Sequence, residues 1–283
     1  MAISVPIIWG GGFLFAKAAI NHFPPILLMA FRFAITALML VWFVKPPVRL
    51  LNRIFWIALV SAAIQYSMTF TGLRDLDAST AVIVVQLEVP FGVLLAVILL
   101  KDKLTLRRIF GMVLAFIGVI ITAGEPRLEG NLFPILLVVG GAFTWALGQV
   151  LIKTLGAPGG FTLIAWVAVF ATPQLFLSSW IFEDNQLEAI MTATPIVWAA
   201  VIYLAVVMTS VGYAIWYHLL GLYNVNQVMP YLLLLPVVTV FGGVMLLGDT
   251  LTPSLITGGL LAIAGVALIT LEKTLPLPQP EKS

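Results

Sequence analysis

Apolar segments of helical length follow one another along nearly the whole sequence, separated by short stretches of charged residues, proline and glycine. A helix needs about 20 apolar residues to cross roughly 30 Å of hydrocarbon. Charged residues make up only 9% of the 283 residues, whereas water-soluble domains carry about a quarter. Continuous apolar runs are typical of helices, and a β-barrel would require alternation instead. The sequence therefore predicts an all-α integral membrane protein.

Ten apolar segments are long enough to be predicted transmembrane helices. Their approximate spans are 3–20, 25–44, 54–73, 78–100, 105–123, 131–153, 161–182, 195–220, 225–247 and 254–271. The first segment has neither the basic start nor the small-residue cleavage site of a signal peptide, so we expect it to be retained as a helix. Because the chain contains no cysteine, we predict neither a disulfide framework nor a thiolate site.

The second part of the chain repeats features of the first. One set of matching residues is separated by 136 positions, and a later set by 147 positions. The first set pairs Trp9 with Trp145, Gly12 with Gly148 and Lys17 with Lys153, and the second pairs Tyr66 with Tyr213, Asp102 with Asp249, Gly111 with Gly258 and Gly118 with Gly265. We therefore predict one five-helix repeat at residues 1–125, a second at residues 126–275, and a cytoplasmic tail at residues 276–283.

Five helices per repeat is an odd number, so the second repeat enters the membrane from the side opposite to the first. The predicted fold is thus ten transmembrane helices in two inverted repeats, an arrangement found in secondary transporters that bind substrate near the membrane midplane. The four paired glycines are predicted to form close helix-packing seams, which either hold the repeats together or form a dimer face. We accordingly expect a monomer or a homodimer.

Basic residues are unevenly distributed between the two predicted membrane surfaces. Ten of the fourteen lysines and arginines fall on the side that carries both termini: Lys45, Arg49, Arg53, Lys101, Lys103, Arg107, Arg108, Lys153, Lys273 and Lys282. Because cytoplasmic loops are enriched in Lys and Arg, this distribution predicts that both termini are cytoplasmic. No long basic run suggests a nucleic-acid partner; the expected surroundings are membrane lipids.

Two related segments carry a family resemblance. They are LDASTAVIVVQLEVPFGVLLAVILLKDKL, which ends at Leu104, and LLLLPVVTVFGGVMLLGDTL, which ends at Leu251. Together with the segments around Trp9 and Trp145, they resemble the drug/metabolite transporter superfamily, and more narrowly the EamA-domain exporters and their bacterial aromatic amino acid exporter branch. That family usually has Glu after the fourth and ninth helices, where this chain keeps a carboxylate as Asp. The resemblance implies export of small metabolites, chiefly amino acids, across the bacterial inner membrane.

Glu88 is predicted to lie near the centre of the fourth helix, where an ionised carboxylate costs about 2.5 to 3.5 kcal/mol on insertion scales. It should face a wet cavity, have a partner or be protonated, and it is a candidate for binding substrate or a proton. A purely structural partnership is the competing interpretation. Pro90 and Pro236 take nearly matched positions in the fourth and ninth helices, and each favours a kink. We predict two bends, which serve either as architecture or as the hinges of a gate.

Three further basic residues lie within or at the ends of predicted helices. Arg32 is about 10 Å below the membrane surface by helical rise, so it either snorkels outward, forms an intramolecular pair, or meets an anionic group in the cavity. Lys17 and Lys153 occupy equivalent helix ends, where interfacial anchoring is the simplest interpretation.

Aromatic and amide side chains provide the other candidates for substrate binding. Trp145 lies about 14 residues into its helix, too deep for an interfacial aromatic belt, and the repeat places Trp9 at an equivalent depth. Polar side chains on a lipid-embedded helix should point either to a cavity or to another helix. The remaining candidates on such faces are Tyr66, Gln149, Tyr213, Tyr217 and Tyr231, the last in a stripe with Asn224 and Gln227.

These features favour a carrier that exports a small molecule by alternating access through a central cavity, most simply an aromatic or other neutral amino acid. Aromatic walls also attract cations, so a multidrug or cationic efflux carrier is the alternative, and a passive pore is a weaker one. An enzyme is not expected, because the sequence has no His-Glu-x-x-His metal motif and only two histidines. We predict no cofactor and no metal, and we leave open coupling to protons.

Overall fold

The computed structural model describes residues 1–124, 132–155, 159–222 and 229–271. Within these ranges the regular secondary structure is entirely helical and contains no strand. The predicted repeat boundary at residues 125 and 126 and the tail at 276–283 lie outside the described residues. We call residues 1–124 the first half and residues 132–271 the second half.

Eight helical segments are long and apolar enough to cross a membrane, and two shorter apolar helices accompany them. The eight are Pro25–Phe43, Val48–Arg74, Ala78–Leu100, Leu106–Ala123, Phe133–Lys153, Gly160–Phe182, Pro195–Trp216 and Pro253–Thr270, and the two shorter ones are Ser4–Ile20 and Tyr231–Leu247. The chain is therefore a multi-pass membrane protein. Each of the ten predicted segments is helical in its described part, while the crossing of the membrane by the two shorter ones remains a prediction.

Several of these segments are divided into shorter α-helices. The first half contains α1 Ser4–Ile20, α2 Pro25–Leu40, α3 Leu51–Ala58, α4 Gln65–Arg74, α5 Ala78–Val85, α6 Glu88–Leu100 and α7 Leu106–Ala123. The second half contains α8 Phe133–Lys153, α9 Gly160–Phe182, the short α10 Gln186–Thr192, α11 Pro195–Ile202, α12 Gly212–Leu222, α13 Leu234–Gly242 and α14 Pro253–Thr270.

A widened π-helical turn interrupts the third long helix of each half. It spans Leu59–Ile64 between α3 and α4, and Tyr203–Val211 between α11 and α12. Tyr66 and Tyr213 each lie two residues after the last residue of these turns. A π-helical turn leaves backbone carbonyls out of the regular i to i−4 pattern, and such turns are frequent at functional sites. Nothing in the sequence pattern had pointed to them.

The two prolines predicted as bends stand at breaks in their helices. Pro90 is the third residue of α6, and α6 begins directly after the turn that separates it from α5. Pro236 is the third residue of α13, directly after the 3-10 helix Met229–Leu233. Because proline lacks an N–H and its ring crowds the carbonyl four residues earlier, each of these prolines favours a kink or a break at its position. Their use as hinges remains a prediction.

The paired glycines bring α7 and α14 into close contact. A Cβ at Gly111 would lie 2.7 Å from the backbone oxygen of Gly265, and one at Gly118 would overlap the backbone of Ala262 and Gly258. The seam therefore lies inside the chain and joins the two halves, which was one of the two sequence-based alternatives. The outer face of α7 is apolar and exposed, as expected for a surface that contacts lipid.

Candidate substrate cavity

A central cavity of about 80 Å³ lies between the two halves. Five predicted substrate-binding residues border it, namely Trp9, Tyr66, Glu88, Trp145 and Tyr213. Eight further residues complete the wall: Phe13, Arg32, Gln65, Thr69, Phe70, Val85, Met208 and Leu235. The walls thus combine several aromatic rings with one acidic and one basic side chain.

Trp9 is held in place by the second half of the chain. Its indole Nε1 donates a hydrogen bond to the backbone oxygen of Met208, 3.1 Å away, which belongs to the second π-helical turn. Its ring centre lies 5.1 Å from that of Tyr213 and 5.8 Å from that of Trp216. The indole also packs directly against Gly212, where any Cβ would displace it. The cavity face of this tryptophan is therefore a rigid apolar surface.

Tyr66 lies opposite, within an aromatic cluster of the first half. Its ring centre is 5.0 Å from that of Phe33 and 5.5 Å from that of Phe70. The hydroxyl accepts a hydrogen bond of 3.3 Å from Nη2 of Arg32. The tyrosine is consequently fixed by packing on its ring and by a cation on its hydroxyl.

Arg32 does not snorkel to the membrane surface. Only 1% of its surface is exposed, and its Nε donates a 2.8 Å hydrogen bond to Oγ1 of Thr209. The guanidinium carbon lies 4.7 Å from the ring centre of Tyr66 and 5.6 Å from that of Phe33. The alternative that Arg32 snorkels outward is therefore wrong, because the side chain is buried and borders the cavity. Arg32 is absent from the substrate-binding residues predicted from the sequence, although its place within a predicted span was a signal that could have included it.

Glu88 is the first residue of α6 and faces the cavity. Within the part of the chain that the structure describes, its carboxylate takes part in neither a hydrogen bond nor an ion pair. Of the three sequence-based alternatives for Glu88, the structure shows the cavity-facing arrangement.

A second cavity of about 60 Å³ adjoins the first. The two share three wall residues, Tyr66, Trp145 and Tyr213, and the second one contains the predicted site residue Gln149. It continues towards Ile152 at the end of α8 and towards the start of α9. Water occupies roughly 30 Å³ per molecule in the liquid, so each cavity holds only a few waters in this conformation.

Of the two remaining predicted site residues, the structure describes the side chain of Tyr231. Tyr231 lies in the 3-10 helix and is 40% exposed, and it borders neither cavity. Tyr217 belongs to α12, but its side chain lies outside the described residues, as do Asn224 and Gln227. Pro90 and Pro236 are buried beside the breaks already described and do not border either cavity.

At one end of the molecule, charged side chains cap three helices. Oε1 and Oε2 of Glu183 accept hydrogen bonds of 2.7 and 3.0 Å from the N–H groups of Ile26 and Leu27 at the start of α2. Oδ2 of Asp249 accepts hydrogen bonds from the N–H and hydroxyl of Ser79 at the start of α5, at 2.8 and 2.6 Å. These carboxylates suit helix N-termini. We call this end, with Glu183 and Asp249, the Asp249 side.

Lys17 completes the Asp249 side. Its Nζ donates hydrogen bonds to the backbone oxygens of Leu73 and Arg74, at 2.9 and 2.8 Å, and thereby caps the end of α4. Lys17 therefore caps the C-terminal end of α4 while lying in the last turn of its own helix, α1. A polar depression of about 530 Å³ lies beside Arg74 and Glu183 and shares no described lining residue with either central cavity.

At the opposite end, which we call the Asp102 side, the contacts between halves are exposed. Nζ of Lys153 lies 3.7 Å from Oδ2 of Asp102, and the two side chains are 65% and 43% exposed. Nη2 of Arg53 donates hydrogen bonds to the backbone oxygen and Oγ1 of Thr154, at 3.1 and 2.8 Å, also near the surface. The second cavity extends towards this side.

Known proteins match this chain along nearly its whole length. It is 30% identical over 276 residues to a Salmonella typhimurium protein named "Probable amino-acid metabolite efflux pump". The aligned region covers 94% of this chain and 92% of that protein. An Escherichia coli protein of the same name is 28% identical over 276 residues, with the same coverage. The "Uncharacterized inner membrane transporter YedA" of Escherichia coli is 26% identical over 278 residues, or 95% of this chain and 89% of that protein. These relatives are named as pumps or transporters.

A solved crystal structure has the same fold. It superposes with a TM-score of 0.67 at 17% sequence identity and covers 95% of this chain and 96% of that chain. The profile of the EamA-like transporter family matches residues 1–124 and 132–271. The resemblance predicted from the sequence is therefore confirmed: this multi-pass membrane protein belongs to the EamA-like transporter family of the drug/metabolite transporter superfamily.

Proposed function

We propose that this protein is a secondary transporter that exports amino acids with aromatic or other neutral side chains across the bacterial inner membrane. The observation that carries the proposal is the cavity between the halves, where Trp9, Tyr66, Trp145 and Tyr213 surround a carboxylate and a guanidinium. Aromatic rings bind an apolar side chain through burial and ring contacts. Charged groups in the same cavity suit a zwitterionic backbone. The names of the two amino-acid metabolite efflux pumps support the same substrate class.

We further propose that transport proceeds by alternating access between two inverted halves. Hydrogen bonds involving Asp249 and Glu183 link the halves on one side, and the second cavity extends towards the other. If both termini are cytoplasmic, the Asp249 side faces outward, and this conformation is closed to the outside. Because the cavities hold only a few waters, substrate entry requires Tyr66, Trp145 or Tyr213 to move and join them.

Glu88 has two roles in this proposal, as the partner of the substrate ammonium group or as the carrier of an exchangeable proton. A carboxylate with no partner among the described residues is available to either. Proton coupling would require that substrate and proton compete for this group or bind to it in turn.

Efflux of cationic compounds is the second candidate function. The same rings and Glu88 could accommodate an organic cation, since aromatic faces attract positive charge. The buried guanidinium of Arg32 on the same wall disfavours that ligand by repulsion. A passive pore is disfavoured by the small size of the cavities and by the hydrogen bonds that close the Asp249 side.

Uptake into liposomes containing the purified protein tests the proposal. Radiolabelled tryptophan, methionine and threonine and a cationic dye are offered with and without an imposed pH gradient. Saturable amino acid uptake that is accelerated by unlabelled amino acid on the far side supports a carrier. Movement of the dye alone assigns the protein to cationic efflux, and non-saturable movement without such acceleration indicates a pore.

A Glu88→Gln variant tests the role of the carboxylate. Removing the charge should reduce gradient-driven amino acid uptake to background or make the remaining uptake independent of pH, because the amide neither binds a proton nor pairs with an ammonium group. Glu188→Gln is the control, since Glu188 lies in the polar depression on the Asp249 side and away from both cavities. Uptake and pH dependence that match the wild type in the Glu88 variant would exclude this role.

A further inference from the structure

We propose that Arg32 is the carboxylate-binding residue of the transporter and that it restricts transport to substrates carrying a carboxylate. This inference rests on the proposed function and goes beyond it, because it assigns one end of the substrate to one side chain. It excludes amines and amides that share the same apolar group.

The contacts of Arg32 leave part of its hydrogen-bonding capacity unused. A guanidinium has five N–H donors. Three are directed at Oγ1 of Thr209, the hydroxyl of Tyr66 and, at 3.8 Å, the sulfur of Met29. Five donors minus three leaves two, and all three partners are neutral. The side chain is held in place without being neutralised.

Burial favours an anionic partner for this cation. An arginine inside the membrane is costly and normally pairs with an acidic group or borders a water-filled cavity. Arg32 forms no ion pair with another residue that the structure describes. Glu88 borders the same cavity, yet no ion pair joins the two. The charge therefore borders the cavity without an acidic partner and is available to a negatively charged ligand once the cavity opens.

The surroundings of the guanidinium fix its orientation. The guanidinium carbon lies 4.7 Å from the ring centre of Tyr66. Its Nε–H is donated to the hydroxyl of Thr209, which belongs to the second half. The hydroxyl of Thr209 donates its own hydrogen to the backbone oxygen of Leu204, at 2.8 Å. Its lone pair is thus directed at Arg32. A guanidinium held in this way is preorganised for a planar carboxylate, which it binds through two parallel N–H bonds.

Two charges on the wall of one cavity define the kind of ligand that fits. Arg32 would take the α-carboxylate and Glu88 the α-ammonium group, while Trp9 and Tyr213 contact the side chain. An amine without the carboxylate would leave the buried guanidinium unpaired and be repelled by it. Since Arg32 comes from the first half and its partner Thr209 from the second, this contact also couples carboxylate binding to the relative position of the halves.

The test uses the amino acid from the liposome panel that the wild type transports fastest, with its amide and its decarboxylated amine. The wild type should prefer the acid at least about tenfold, which corresponds to about 1.4 kcal/mol. Arg32→Gln should raise the KM for the acid by a similar factor and abolish the preference. Arg32→Lys should retain part of it, since lysine keeps the charge but not the two-pronged geometry. The control is Arg49→Gln, an exposed arginine outside the cavities.

Unchanged preference in a folded Arg32→Gln protein overturns the inference. If that variant does not fold, wild-type transport of the amide as fast as the acid overturns it equally. Thermal unfolding of the purified wild type in detergent, with the acid or the amide added, separates this inference from the proposed function, because a ligand that binds the folded state raises Tm. Stabilisation by the acid alone, without amino acid transport, supports the carboxylate site and contradicts the exporter. Equal shifts with both compounds contradict the site even if transport occurs.

Discussion

Residues that match in the sequence repeat have very different surroundings at the two ends of the molecule. Asp249 is 8% exposed and accepts two hydrogen bonds from Ser79, whereas its partner in the repeat, Asp102, is on the surface. Lys17 caps α4 through two backbone oxygens, whereas Lys153 is 65% exposed. Equivalent residues therefore hold the two ends with unequal strength. Repetition in the sequence does not impose symmetry on one conformation.

This inequality is informative because a carrier with alternating access must exchange the two environments. Charged residues with buried helix-capping contacts stabilise the closed side, while exposed ion pairs contribute little to stability. In the opposite conformation we expect Asp249 and Lys17 to lose their contacts. The comparison between the two sides can thus be tested by weakening one side at a time.

Removing the carboxylate at each end should give the largest difference. Asp249→Ala leaves the N–H of Ser79 without its buried acceptor and should cost about 2–3 kcal/mol, because hydrogen bonds to charged groups contribute that much. Asp102→Ala should cost less than about 1 kcal/mol, as for other exposed ion pairs. Thermal unfolding of both proteins in detergent measures the difference. Equal losses would show that the two ends are equally stable and would break the comparison.

Single cysteines should report which side is open, because the natural chain has none. A cysteine replacing Gln149 borders the second cavity and should react with a membrane-impermeant maleimide applied from the Asp102 side. A cysteine replacing the fully buried Ser79 should react at least about tenfold more slowly, corresponding to an opening free energy of about 1.4 kcal/mol or more.

Asn185→Cys, exposed on the Asp249 side, shows whether the reagent reaches that surface. Adding Asp249→Ala to the Ser79 cysteine variant should increase its reactivity, because the contact that closes this side is then absent. Faster labelling of the cysteine at Ser79 than of the one at Gln149 in the otherwise unchanged protein would reverse the assignment of the closed side.

The smallest expected effect concerns pH at Glu183. Burial raises the pKa of this carboxyl above its ordinary value, although the N–H of Ile26, the hydroxyl of Ser179, the N–H of Leu27 and the charge of Arg74 act in the opposite direction. The folded protein therefore holds this proton more tightly than the unfolded chain, whose glutamate pKa is about 4.3. Stability should fall as pH rises from about 4 through the raised pKa, since the folded state binds more protons there.

Tm measured in steps from pH 4 to pH 7 tests this behaviour at Glu183. The decrease of Tm with rising pH should be shallower in Glu183→Gln than in the wild type, because glutamine does not titrate. Asp184→Asn, a neighbouring acid-to-amide change, serves as the control and should leave the slope as it is. A Glu183→Gln slope identical to that of the wild type would remove Glu183 from the pH response of the Asp249 side.

Part of the site could be predicted because membrane burial makes some residues conspicuous. A glutamate and deeply placed tryptophans and tyrosines stand out in apolar helices, and five of them border one cavity. Phe13, Phe70 and Met208 could not be selected in the same way, since apolar residues on a cavity wall resemble those in a lipid-facing or packed surface. Tyr231 was selected by its polar spacing alone, and its side chain borders neither cavity in this structure.

The sequence by itself determined the membrane environment, the approximate helical segments and the family, because hydropathy and motif order are properties of the chain written in one dimension. The tertiary structure alone decided that Arg32 is buried against Tyr66 and Thr209 rather than snorkelling, and that Asp249 is buried while Asp102 is not. It also located the π-helical turns. The burial of Arg32 depends on contacts with Tyr66 and Thr209, which lie 34 and 177 positions away, and that of Asp249 on Ser79, which lies 170 positions away. Both also depend on which conformation the halves adopt. Local composition carries no record of either.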